Sequence, residues 1–445
     1  MTSVSTEQVS PKTLRKVIAA ATIGNFVEWF DFAVYGFLAT TIAQQFFPSG
    51  DTSAALLKTF AVFAVAFAFR PLGGIFFGML GDRIGRKRTL AMTILLMAGA
   101  TTLIGVLPTY AAIGVAAPIL LTLIRCAQGF SAGGEYAGAC AYLMEHAPND
   151  KRAWYGSFLP VSTFSAFAAA AVVAYALEAS LSAEAMGSWG WRLPFLIAAP
   201  LGLVGLYMRW RLDETPAFQA VTEEHEIAHS PLKETLRNHG SAICCLGAFV
   251  SLTALSFYMF TTYFATYLQV AGGLSRATAL LVSLIALIFA AAICPLAGLY
   301  SDRVGRRATV VTACVLLIVA VYPSFMMASS GGFTASIIGV MLLAIGAVLC
   351  GVVTAALLSE TFPTRTRYTA SAITYNMAYT LFGGTAPLVA TWLISSTGSN
   401  LSPAFYLMAV ALLALAGGLA LPETSRISLH DVATPEKGSA AAATV

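Results

Sequence analysis

The sequence predicts an all-α polytopic membrane protein: twelve transmembrane helices in two pseudo-symmetric six-helix halves. Three observations carry that expectation. Of 445 residues, 58% are hydrophobic and only 10% are charged, against about 25% charged in soluble domains. The apolar residues fall into a dozen runs of about 20, the length that crosses a bilayer core as a helix. The loop after the second run also recurs after the eighth. Gly78, Asp82, Arg83, Gly85 and Arg86 return as Gly298, Asp302, Arg303, Gly305 and Arg306, each 220 residues later. Glu145 and Arg152 return as Glu360 and Arg367 at an offset of 215, and Leu212, Glu214 and Thr215 as Leu421, Glu423 and Thr424. Such punctuation marks two copies of one unit. Disorder, coiled coil, collagen and a small secreted scaffold are excluded.

Residues 1–16 are polar and carry Lys12, Arg15 and Lys16 ahead of an apolar stretch with no small-residue cleavage site. The first run is therefore expected to stay in the protein and not to leave as a signal peptide. Spans are predicted at 17–40, 56–80, 89–108, 112–138, 156–178 and 193–210, then at 241–268, 277–300, 308–328, 333–358, 369–395 and 403–421. The halves are then 17–210 and 241–425. Between them, 211–240 reads as a charged cytoplasmic linker with Glu223, Glu224, Glu226, Pro231 and Glu234, and 426–445 as a cytoplasmic tail.

Orientation follows from the positive-inside bias. With both termini cytoplasmic, 20 of the 25 Lys and Arg lie on that side. Lys58, Arg192 and Arg276 fall near the outer ends, and Arg70 and Arg125 fall within spans. The net charge of +4 thus records orientation in a lipid bilayer, with no nucleic-acid partner expected. The seven cysteines (126, 140, 244, 245, 294, 314 and 350) lie in spans or, for Cys140, two residues past one, as small packing residues. His225 and His229 have metal-ligand spacing, but in a charged loop they read as solvated. No metal, cofactor or disulfide framework is expected.

Ionisable residues inside a bilayer are costly and usually functional. Five stand out, all in the first half: Glu28, Asp31, Arg70, Arg125 and Glu135. Asn25, Glu28, Asp31 and Tyr35 share one helical face, and Arg125, Gln128, Ser131 and Glu135 repeat that spacing. Two such stripes point to helices facing one wet cavity, with structural ion pairs as the competing account. A buried carboxylate resists ionisation, so exposure to alternate sides loads and releases a proton. Glu28 and Asp31, near mid-depth, are the first candidates for proton coupling, and Glu135 lies deeper toward the cytoplasm. Arg125 stays protonated, and its planar donors suit a solute carboxylate. Arg70 precedes Pro71, which can kink the second span. The sequence allows Arg70 to bind solute or to neutralise Glu28 or Asp31.

The second half offers Tyr258, Tyr263, Tyr267, Gln269, Tyr375, Asn376 and Tyr379. Core packing is the default for aromatics at helical spacing. With Trp29, Phe30 and Tyr35 opposite, they could also surround a quaternary ammonium, worth about 2 kcal/mol or more when desolvated. Candidate solute-binding residues are Arg70, Arg125, Gln128, Tyr35, Tyr258, Tyr375 and Asn376. Gly129, Gly133, Gly134 and Gly138 allow close helix approach, and Gly383, Gly384 and Pro387 should weaken the eleventh span. A membrane enzyme would need a catalytic constellation, and no histidine lies in a span, so catalysis is not expected.

The paired Gly-x-x-x-Asp-Arg-x-Gly-Arg-Arg/Lys loops resemble the signature of the major facilitator superfamily. Other segments resemble its metabolite:proton symporter family: Gly24-Asn25-Phe26-Val27-Glu28-Trp29-Phe30-Asp31-Phe32 with Tyr35-Gly36, and Arg70-Pro71-Leu72-Gly73-Gly74. Gln128-Gly129-Phe130-Ser131-Ala132-Gly133-Gly134-Glu135-Tyr136 and Trp189-Gly190-Trp191-Arg192-Leu193-Pro194-Phe195 continue the match. The similarity covers about 17–425, and within that family it is most similar to proline/betaine transporters, notably over Leu212-Asp213-Glu214-Thr215-Pro216-Ala217-Phe218.

The resemblance implies the major facilitator fold and a cytoplasmic gate. Asp82 would cap the helix opening near residue 369, and Arg86 would pair with Glu145. Asp302, Arg306 and Glu360 would form the second copy. It also implies proton symport of a small polar organic solute across a bacterial cytoplasmic membrane by alternating access, the solute being a zwitterion such as proline or glycine betaine. The alternative is an organic acid: 2-oxoglutarate, shikimate, citrate or an aromatic carboxylate. A zwitterion with one proton moves inward as net +1, gaining about 2.3 kcal/mol per 100 mV and about 1.4 kcal/mol per pH unit. A dicarboxylate needs more than two protons before the potential helps. The tail after Arg426 carries no heptads, so osmotic activation through a coiled coil is not expected.

Overall fold

A computed structural model describes residues 11–48, 52–210 and 231–425, with 427 and 429. The linker glutamates 223, 224 and 226, His225, His229 and the 212–218 motif lie outside the described residues. Among the described residues, twelve long helices make up the fold. The first six are α1 (Pro11–Phe37), α2 (Thr52–Ile84), α3 (Arg86–Val106), α4 (Ala116–His146), α5 (Phe158–Ser180) and α6 (Leu193–Trp210). The second six are α7 (Gly240–Val270), α8 (Arg276–Val304), α9 (Arg306–Ser329), α10 (Phe333–Glu360), α11 (Arg367–Thr397) and α12 (Ser402–Leu419).

Among the described residues, eleven helical segments are long and apolar enough to cross a membrane, and α4 is the helix left out. Its 31 residues span easily, but Arg125, Gln128, Ser131, Glu135 and several glycines dilute its apolar content. It tolerates them because protein surrounds it: every residue from Ser131 to His146 is buried. The outward faces are different, with Leu72, Leu203, Leu296, Val319 and Leu388 more than half exposed. Apolar surface of that extent belongs in lipid.

The packing repeats between copies. α2 with α4, α3 with α6 and α1 with α4 correspond to α8 with α10, α9 with α12 and α7 with α10. The copies meet through α2 with α11 and α5 with α8. The repeated glycines have a physical cause here. A Cβ on Gly78 would stand 2.8 Å from Thr369 Cα, and one on Gly298 would stand 2.7 Å from Trp154 Cα, so neither helix crossing admits a side chain. Gly85 and Gly305 turn the chain at φ of 99° and 95°, a backbone that L side chains rarely adopt.

Two helices of the second half are broken by π-helical turns, α7 at Met259–Tyr263 and α11 at Tyr379–Gly383. The second break falls on the Gly383-Gly384 pair. The first has no glycine or proline. α2, by contrast, continues as one helix through Pro71.

Candidate functional site

α1 brings its polar face into the interior, with Asn25, Glu28, Asp31 and Tyr35 all buried. Asn25 orients the face. Its Nδ2 donates to Ser162 and Thr163 of α5 at 2.8 Å each, and its Oδ1 accepts from Trp29 Nε1 at 3.1 Å. Trp29 is thereby held with its ring toward the second half.

Glu28 takes Arg70 of α2 as partner, Oε1 to Nη2 at 2.9 Å, with both side chains excluded from solvent. The Arg70 guanidinium lies 5.7, 5.4 and 5.6 Å from the ring centres of Trp29, Phe32 and Phe67. Its Nε reaches Asn376 Oδ1 of α11 at 3.4 Å, a long contact. Asn376 is itself anchored across the boundary, donating to the Gly133 carbonyl of α4 at 2.6 Å. The second half supplies the opposite wall. Tyr258 and Tyr379 each lie 6.4 Å from the Trp29 ring and 6.1 Å from one another, and Tyr375 stacks on Tyr379 at 4.0 Å. Tyr258 ends the first part of α7 and Tyr379 opens the π turn of α11, so the two breaks shape this wall. Arg70 Nη1 and the Tyr258 hydroxyl are buried without hydrogen-bond partners. Such groups are costly to leave unmet.

Asp31 takes the other arginine. Its Oδ2 lies 3.3 Å from Arg125 Nη1 and accepts from Gln128 Nε2 at 2.7 Å. Gln128 also accepts from Arg125 at 2.8 Å and donates to Thr101 of α3 at 2.9 Å. Arg125 lies 4.1 Å from the centre of the Tyr35 ring, whose hydroxyl donates to the Thr59 carbonyl. Every one of these partners belongs to the first half. Glu135 accepts from Thr93 of α3 at 2.5 Å.

The structure therefore brings Arg70, Tyr258, Tyr375 and Asn376 together around Glu28, and sets Arg125, Gln128 and Tyr35 apart around Asp31. Tyr263 and Tyr267 belong to neither group: Tyr267 donates to the Asn400 carbonyl at 2.9 Å and packs on Phe264 and Phe325. Phe67, packed on Tyr258, and Tyr136, stacked on Tyr375 at 4.4 Å, join this cluster without having been singled out by the sequence. Nothing in an apolar helix distinguishes a chamber aromatic from a packing one.

A second cluster closes the end of the bundle that carries the repeated loops. Asp82 accepts from the Tyr368 and Thr369 N–H groups at 3.1 and 2.8 Å, at the start of α11. Asp302 does the same for Ala153 and Trp154, at 2.9 and 2.8 Å. Arg86 lies 3.2 Å from Asp82 and 3.4 Å from Glu145, and Arg306 lies 2.9 Å from both Asp302 and Glu360. Two further arginines cross between the copies: Arg367 to Glu145 at 2.8 Å and Arg152 to Glu360 at 3.2 Å. Sequence reasoning noted these arginines only as a repeat. Their shared offset of 215 with the glutamates was the signal for the pairing. Glu423, beyond α12, accepts from the N–H groups of Arg306, Arg307 and Ser425. Partial burial pushes its carboxyl up, but those backbone bonds outweigh it and hold the group below the usual range.

A profile described as the Major Facilitator Superfamily matches residues 21–384. The proline/betaine transporter of Salmonella typhimurium is 40% identical over 432 residues, covering 95% of this chain and 86% of that protein. The glycine betaine/proline/ectoine/pipecolic acid transporter OusA of Dickeya dadantii is 40% identical over the same shares. Among solved structures, the partially occluded inward-open xylose transporter XylE from E. coli aligns with a TM-score of 0.68 at 18% identity, over 94% of this chain and 100% of that one. That likeness bears on the fold alone.

Proposed function

The chain belongs to the major facilitator superfamily of membrane transporters, not to an enzyme family, and from that premise we propose that it is a proton-coupled symporter importing a small zwitterion such as proline or glycine betaine. The observation that carries the reading is the Glu28–Arg70 pair, which lies where side chains from both halves converge. A cargo site must touch both halves if rocking of 17–210 against 241–425 is to expose it alternately. The solutes for which the relatives are named each carry one cationic nitrogen group and one carboxylate, and the cluster offers one carboxylate, one guanidinium and an aromatic surround.

Proton coupling falls to Asp31 in this reading. Its partners Arg125 and Gln128, and Thr101 behind Gln128, all move with the first half, so a proton can load there without displacing the cargo. Arg125 and Gln128 then hold the carrier in place. The organic-acid alternative draws less support, because each buried arginine is already neutralised by its own carboxylate. The cluster of Asp82, Arg86, Glu145, Asp302, Arg306 and Glu360 acts as the cytoplasmic gate, with both termini on that side of the bacterial cytoplasmic membrane.

Uptake into proteoliposomes with and without an imposed pH gradient tests the reading. Accumulation of labelled proline or glycine betaine should require the gradient, inside alkaline. Gradient-independent equilibration removes symport, and accumulation of 2-oxoglutarate without proline or betaine moves the assignment to the organic acids.

A further inference from the structure

Resting on the zwitterion reading above, we infer that the Glu28–Arg70 pair is an internal stand-in for the cargo, opened by exchange: the solute's ammonium takes the place of the guanidinium against Glu28 and the aromatic rings, and its carboxylate takes the guanidinium itself. Three observations lead there. The π faces suited to an ammonium are already occupied, since the Arg70 guanidinium lies 5.4 to 5.7 Å from the ring centres of Phe32, Phe67 and Trp29. The same guanidinium keeps Nη1 buried and without a partner, beside a Tyr258 hydroxyl in the same condition. Beyond Glu28, the guanidinium is held by the long 3.4 Å contact to Asn376 in the second half and by the three rings, whose attraction an incoming ammonium would take over.

Charge arithmetic makes the exchange selective. One internal ion pair becomes two, and no charge is left unmatched at any point of occupancy. A buried charge deprived of its partner is strongly unfavourable. A cation without a carboxylate would displace Arg70 and leave it unpaired. A carboxylate without a cation would draw Arg70 away and leave the Glu28 charge without its guanidinium. The pair would thus reject both half-matches while admitting the zwitterion, and Glu28 would determine specificity as well as affinity.

The test compares three isosteres on the purified full-length protein by titration calorimetry: glycine betaine, 3,3-dimethylbutanoate (its uncharged-carbon analogue) and betaine amide (its carboxylate-free analogue). Wild type should bind glycine betaine at least about 100-fold tighter than either analogue, since a site built for a polar group discriminates strongly against its absence. Glu28→Gln should weaken glycine betaine and narrow its advantage over dimethylbutanoate to about tenfold or less. Because Glu28→Gln leaves Arg70 without its anion, the double variant Glu28→Gln/Arg70→Gln, which removes both charges of the pair, is measured alongside. It should bind all three compounds within about tenfold of one another. An undiminished preference for glycine betaine in the double variant overturns the exchange, as does equal binding of the three by wild type. Absence of glycine betaine and proline binding by wild type, with binding of an organic acid instead, overturns the zwitterion reading itself and is distinct from either result.

Discussion

Arg367 of α11 donates to Glu145 of α4 at 2.8 Å across the boundary between the two halves, and neither side chain touches solvent. The mirrored contact, Arg152 to Glu360, makes each copy hold the glutamate of the other. Each glutamate also serves an arginine of its own copy, Arg86 or Arg306. Separation of the halves at this end must therefore break charged contacts in pairs.

Glu145→Gln should accordingly leave Arg86 and Arg367 short of one shared anion. Removing one partner of a buried pair costs about 3–5 kcal/mol. The closed arrangement should lose favour and steady-state uptake should fall at least about tenfold. Uptake at the wild-type rate, with normal expression, would show that the contact is dispensable to the cycle.

Asp82→Asn keeps the shape of the cap but replaces one accepting oxygen with a donor that faces the N–H groups of Tyr368 and Thr369. The charge that offsets Arg86 is lost as well. Transport should be impaired while membrane expression stays near wild type. Unchanged uptake would remove Asp82 from the gate.

Gly78→Ala places a methyl group 2.8 Å from Thr369 Cα, and Gly298→Ala places one 2.7 Å from Trp154 Cα. Backbone on both sides cannot yield cheaply, so each variant should slow uptake by obstructing closure. Initial rates of proline uptake provide the measurement. Two variants that both match wild type would mean that the crossings relax.

Asp31→Asn separates proton movement from solute movement. Counterflow exchange of preloaded solute should survive, because the Glu28–Arg70 chamber is untouched. Accumulation against a gradient should vanish. Full accumulation would exclude Asp31 as the proton carrier.

Glu423 governs a pH response outside the membrane. Its folded-state pKa is depressed by three backbone N–H groups. Its contribution is therefore present above the unfolded value, about 4.3, and lost as pH falls through the lower folded value. Glu423→Gln should lower Tm in detergent at pH 7, with the gap from wild type closing below about pH 4. A gap independent of pH would assign the effect to packing.

Much of this was legible along the chain. Asp82 and Asp302, with Gly78 and Gly298, could be read because they recur at one offset, and each member of a pair meets the same need in the structure: a helix start to cap or a backbone to approach. The broken α11 carried Gly383 and Gly384 as its signal. The break in α7 carried none, because Met259–Tyr263 holds neither glycine nor proline to mark it.

The sequence by itself determined the helix count, the duplication, and the helical faces that carry Glu28, Asp31, Arg125 and Gln128, since hydropathy and helical period are one-dimensional properties. Only the tertiary structure decided the partners. Glu28 and Asp31 differ by about 4.5 Å of rise and about 60° of rotation on one helix, so the azimuth of α1 against α2 and α4 sends the first to Arg70 and the second to Arg125. The same packing brings each repeated arginine to the glutamate of the opposite copy. Azimuth and register between helices depend on every side chain at the contact, and no single segment encodes them.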